Sequence, residues 1–121
     1  MTITSFRPES AYCQGALATD VSRLLFVSGQ IPVDADGHVP ETFADQARLA
    51  WRNVESVLAE AGMGLTDLVK VTVFLSDRQY RRENYEVRKE VLGEHMPALT
   101  IIITGIYDEA WLLEIEAVAA N

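Results

Sequence analysis

The sequence is poor in cysteine, in positive charge and in long apolar runs, and each shortage excludes something. Its one cysteine, Cys13, cannot close an internal disulfide, so a reducing cytoplasm is the expected compartment. No apolar stretch nears the ~20 residues that cross a bilayer, and the opening MTITSFRPES has no apolar segment behind a basic cluster. Neither a membrane association nor a secretory signal is expected. Ten basic residues against eighteen acidic ones leave a formal charge of −8, which repels phosphate backbones, so nucleic acid is not an expected partner.

Signatures of common chemistries are equally scarce. His38 falls in a turn and His95 at a helix end, neither with a second ligand at a recognised spacing, so no metal is expected. GMG at Gly62 to Gly64 is a helix stop rather than a nucleotide cradle. Ser28 has no visible triad, and Cys13, with no activating base in view, reads as a small strand residue.

What is present is the composition of a globular domain: 49% hydrophobic and 23% charged residues in a chain long enough for one core, read as a single domain over 1–121. From Thr42 to Ala61, apolar residues at Phe43, Ala47, Ala50, Trp51, Val54, Val57, Leu58 and Ala61 keep the three-and-four spacing of a helical face. Thr42 is the expected N-cap, and Gly62 the left-handed residue after the end. LVKVTVFL (Leu68 to Leu75) alternates, with Val69, Val71, Val73 and Leu75 on one side, and reads as a strand. A second helix over about Tyr80 to Glu94 would bury Tyr80, Val87 and Val91, with Tyr85 or Leu92 beside them. Five of the basic residues (Arg78, Arg81, Arg82, Arg88, Lys89) crowd into this region among acidic neighbours, which reads as a solvated helix face. Further strands are expected at Tyr12 to Ala18, LLFVSGQI, TIIIT and LLEIEAVA.

Strands, helix, strand, helix, strands imply an α+β domain with one mixed sheet and both helices on one face. In the last strand Leu113, Ile115 and Ala117 should meet the helices, leaving Leu112, Glu114, Glu116 and Val118 on the other side. The strand before it is apolar on both sides. Its second face needs a cover, and an oligomer is expected to supply it.

Six segments carry a resemblance: YCQG (Tyr12 to Gly15), FVSGQIPVD (Phe26 to Asp34), QARLAWRNVESVLAEAG (Gln46 to Gly62), VKVTVFLSD (Val69 to Asp77), MPAL (Met96 to Leu99) and LLEIEAVA (Leu112 to Ala119). In this order and spacing they closely resemble the RidA/YjgF/UK114 family of enamine and imine deaminases, over nearly the whole chain. The resemblance implies a chorismate-mutase-like α+β fold, a homotrimer with small-molecule clefts between neighbouring subunits, and hydrolysis of reactive enamines and imines without a cofactor. Carried over position by position, it places the cleft tyrosine at Tyr12, the strand-end serine and glycine at Ser28 and Gly29, and the glutamate that orients or activates water at Glu114.

One position departs. Where the deaminases read proline-alanine-arginine, this chain reads Pro97, Ala98, Leu99, followed by Thr100 and Ile101, so Leu99 and Ile101 give the pocket an apolar wall. A guanidinium grips a carboxylate through two charge-assisted hydrogen bonds, each worth about 1.5–3 kcal/mol, and leucine makes neither. Weak or absent activity on 2-iminopropionate is therefore expected. RRENYE offers either Arg82 or Asn84 where many relatives carry a cleft asparagine, although both also read as surface residues. Two functions stay open: an enamine or imine hydrolase with a non-standard substrate, and a trimer that binds a metabolite without chemistry.

Overall fold

The first helix begins and ends where its chemistry dictates. In the computed structural model, which describes residues 1–121, α1 spans Phe43–Glu60, and the Thr42 hydroxyl accepts from the Asp45 backbone N–H at 3.2 Å. At the other end Gly62 adopts φ +71°, and the Met63 N–H returns to the Leu58 carbonyl at 2.9 Å, which satisfies a carbonyl the helix itself leaves open. Phe43, Ala47, Ala50, Trp51, Val54 and Leu58 are all buried. Fully burying a large apolar side chain contributes about 1.5–3 kcal/mol, so this stripe anchors the core.

Six strands form one mixed sheet: β1 (Thr2–Pro8), β2 (Cys13–Thr19), β3 (Leu24–Gln30), β4 (Leu68–Leu75), β5 (Ala98–Ile103) and β6 (Leu113–Ala120), in the spatial order β1-β2-β5-β4-β6-β3. β5 runs parallel to both β2 and β4, and the other pairs are antiparallel. The second helix, α2 (Arg81–Leu92), forms the crossover between the parallel strands β4 and β5, and packs beside α1. The expected α+β sheet with its two helices is the observed architecture. No helix is long and apolar enough to cross a membrane.

Register assigns each side chain to a face, because residues paired across a ladder point the same way. Val71 pairs with Leu99 and Ala117, and Val73 with Ile101 and Ile115, so these residues share the helix side. Phe74 pairs with Ile102 and Glu114, which puts Glu114 on the uncovered side. Exposed apolar groups collect on that uncovered side: Phe26 is 73% exposed and Ile102 41%. β5 is also open on its helix side, with Ile101 40% exposed.

Three expectations need correction. β1 pairs with β2 over Thr2 to Pro8, a strand that the sequence reading did not anticipate. In β4 the buried residue at the start is Leu68, not Val69, because a register irregularity between Leu68 and Lys70 breaks the alternation. In α2 the buried set is Asn84, Val87, Arg88 and Leu92, whereas Tyr80 and Val91 are only half-buried. The charged segment is thus not uniformly solvated, and Asn84 is not a surface residue: the face that carries Val87 and Leu92 inward carries Asn84 and Arg88 with it.

Candidate active-site cleft

A cleft of about 720 Å³ opens on the helix side of the sheet. Tyr12, immediately before β2, forms its strand wall with Leu99 and Ile101 on β5. The opposite wall comes from the α2 region, which contributes Arg78, Arg81, Arg82, Arg88 and Tyr85. No acidic residue lines it, so a chain with net charge −8 holds a locally positive cavity.

The arginines differ in how they are held. Arg82 is exposed and its Nε lies 3.1 Å from Glu86 Oε1, an i,i+4 pair on the helix surface. Arg88 is 3% exposed and its only protein bond is a long one, from Nε to the Ala11 carbonyl at 3.4 Å. Its guanidinium carbon sits 5.7 Å from the Tyr85 ring centroid, within cation–π range. Burial pushes the Arg88 pKa below its ordinary value. The Tyr85 phenol, bonded to the Ser10 hydroxyl and close to Lys89 and Arg88, is held below the usual tyrosine range.

Glu114 occupies a different place. Its side chain lies on the uncovered face beside Phe74, Thr104, Gly105 and Tyr107, and it makes no ion pair. The carboxylate rests against the Gly29 backbone so closely that a methyl group at residue 29 would overlap Oε2 and stand 2.7 Å from Cδ. Only glycine leaves that space free. Ser28 is exposed next to it, its carbonyl accepting from Gln30 Nε2 at 3.1 Å. Of the residues expected at the site, then, one chain brings together Tyr12, Leu99, Ile101 and Arg82, and separately Ser28, Gly29 and Glu114. The thickness of the sheet lies between Leu99 and Glu114.

Other candidates fall away on geometry. Asp34, Asp36 and His38 come within metal-ligand reach of one another, but the Asp34 carboxylate already accepts the Asp36 and His38 backbone N–H groups, both at 2.9 Å, as a turn. Those bonds, His38 first, hold Asp34 below its ordinary pKa. Cys13 is buried and its thiol donates to the Gly15 carbonyl at 3.1 Å.

A family model described as Endoribonuclease L-PSP matches residues 2–121. The chain belongs to this family. TdcF of Escherichia coli K12, named as a candidate reactive intermediate deaminase, is 36% identical over 114 residues, covering 91% of this chain and 86% of TdcF. A RutC family protein of Pyrococcus abyssi is 35% identical over 115 residues, covering 93% of this chain and 88% of the relative. The crystal structure of E. coli TdcF with bound serine superposes with a TM-score of 0.77 at 34% identity, over 91% of this chain and 87% of that one. These relatives bear out the RidA/YjgF resemblance and the fold it implied.

Within this L-PSP domain, the residue that sequence reasoning missed is Arg88. The signal was available: 84, 87, 88 and 92 keep the helical spacing of one face, so inward positions for Val87 and Leu92 require an inward Arg88.

Proposed function

We propose that this protein hydrolyses a reactive imine or enamine to a carbonyl compound and ammonia, in clefts that two copies of the chain complete together. The observation that carries the reading is the Glu114 carboxylate, ionisable, free of any salt bridge and seated over the one residue that gives it room, Gly29. A second copy is needed because Glu114 and the Tyr12–Leu99 wall lie on opposite faces of one sheet. The exposed Phe26 and the doubly open β5 favour such an assembly, taken here as a homotrimer.

In this reading Glu114 orients a water and takes its proton as the oxygen adds to the C=N carbon. The proton passes to nitrogen, giving an adduct that carries OH and NH2; Glu114 then takes the hydroxyl proton and hands it to that nitrogen as C=O forms and the C–N bond breaks, releasing ammonia. An enamine first gains a proton at carbon and loses one from nitrogen to become the imine. Tyr12 bounds the ligand, and the Gly29 and Ser28 backbone lies beside the base. No cofactor is required by this sequence of steps. A general base contributes typically 10²–10⁴-fold, so Glu114→Gln should lower turnover of a competent imine by that factor while the assembly persists in sedimentation. A Glu114→Gln variant as active as the parent sinks the proposal, as does a monomer at micromolar concentration that turns over normally.

Leu99 favours a second reading, a trimer that binds a metabolite without chemistry, since the family arginine is missing at that position. Loss of freshly generated 2-iminopropionate, compared with its uncatalysed rate, and then a panel of imines differing in bulk and carboxylate placement, separates the two. Binding without turnover across the panel selects the second.

A further inference from the structure

We propose that Arg88 is the anion-binding residue of the helix-side cleft, and that the ligand it selects is a small carboxylate whose apolar part lies against Leu99 and Ile101. The assignment of that ligand as an imine or enamine acid rests on the hydrolase reading above; the anion site itself does not.

A guanidinium offers five N–H donors in a rigid fork. In Arg88 one donor makes the 3.4 Å bond to Ala11, and Nη1 is buried with no partner at all. No carboxylate pairs with it. The ring of Tyr85 supports the charge from one side. One turn earlier on the same helix face, both polar atoms of the Asn84 amide are also buried and unpaired. Buried polar groups without partners are rare in folded proteins, and an unpaired buried charge costs several kcal/mol. An arginine that served packing alone would have its donors satisfied, or would reach water, as Arg82 does.

The surroundings say what completes it. Arg78 and Arg81 stand on the same wall with no ion-pair partner of their own, and the lining contains no acid. Such a field draws an anion in and directs it past the rim to the buried fork. The cavity volume of about 720 Å³ is ordinary for a small-molecule site, and Leu99 and Ile101 give the ligand an apolar surface opposite the charge. The guanidinium that is missing from β5 at residue 99 is thereby supplied from α2, across the same cleft. Leu99 therefore sets the shape of the ligand, and does not abolish carboxylate recognition.

The test uses the full, assembled protein and two stable probes of nearly equal shape, 2-oxobutyrate and its neutral amide, 2-oxobutanamide, titrated by calorimetry. The acid should bind at least tenfold more tightly than the amide, and the preference should weaken as salt rises. Arg88→Met should abolish the preference, and Arg88→Lys should keep part of it, with circular dichroism and sedimentation confirming the fold of each. Equal binding of acid and amide by the unmutated protein, or binding of neither, overturns the proposal without recourse to any variant, and is the result expected if a carboxylate of a second copy already occupies the fork. Methyl phosphate binding more tightly than 2-oxobutyrate overturns the carboxylate assignment. Acid-selective binding with no turnover of any imino acid leaves Arg88 in place and removes the hydrolase; turnover with no acid preference does the reverse.

Discussion

The two helices bury polar side chains in opposite ways. On α1, Gln46 is 2% exposed and every one of its needs is met: Nε2 donates to the Pro40 carbonyl at 2.9 Å and the Ala110 carbonyl at 3.1 Å, and Oε1 accepts from the Leu112 N–H at 2.8 Å. It ties the loop before α1 to the approach to β6. On α2, Asn84 and Arg88 are as deeply buried and have atoms with nothing to bond. A satisfied buried amide is a fastener within the chain. Unsatisfied ones point to something outside it, and of these Arg88 lines the positive cavity.

That contrast can be broken by mutation. Gln46→Leu has the largest expected effect on folding, a loss of about 3 kcal/mol in urea unfolding, because three hydrogen bonds go and the Leu112 N–H is left without its partner. Asn84→Leu, at equal burial, should leave stability within about 1 kcal/mol of the parent or raise it, since no bond is lost and an unpaired amide is removed. A loss as large as that of Gln46→Leu would erase the distinction between the helices. Arg48→Ala should have the smallest effect. Its guanidinium joins the two helices at the surface, Nε to Glu90 Oε2 at 2.9 Å, and this bond holds Glu90 below its ordinary pKa. A depressed carboxylate stabilises the fold above its unfolded pKa, and that contribution is lost as pH falls through the folded value. The deficit of Arg48→Ala should therefore be seen near neutral pH at low salt, and should vanish on acidification or in high salt.

Periodicity made α1 legible to its caps, because Thr42, Gly62 and the apolar stripe all act through local chemistry. The faces of β6 were equally readable: Leu113, Ile115 and Ala117 are buried as alternation requires. β1 was not, because an edge strand paired only with β2 is mostly exposed, and TITSFRP carries little apolar alternation to betray it. Val69 misled because a bulge is set by the pairing of two strands rather than by either one. At the site, Tyr12, Ser28, Gly29, Leu99 and Glu114 were named from the resemblance, but their division between two faces depends on the order of six strands. Arg88 is hidden by composition: its charged neighbours give it the look of a surface residue, and only the helical phase it shares with Val87 and Leu92 turns it inward.

The contact between Gly29 and Glu114 also ties the histories of two positions together. A side chain at residue 29 collides first with the far end of a flexible glutamate, which can swing aside, so folding tolerates the change while the carboxylate loses its place. A lineage that fills position 29 gives up the seat of the Glu114 carboxylate at once, without the instability that would purge the change. A lineage that first loses the carboxylate at 114 is then free to fill position 29. Either order leads away from a placed carboxylate, and the return requires both steps to be retraced, so the pair behaves as a ratchet between descendants that keep the carboxylate in place and descendants that do not.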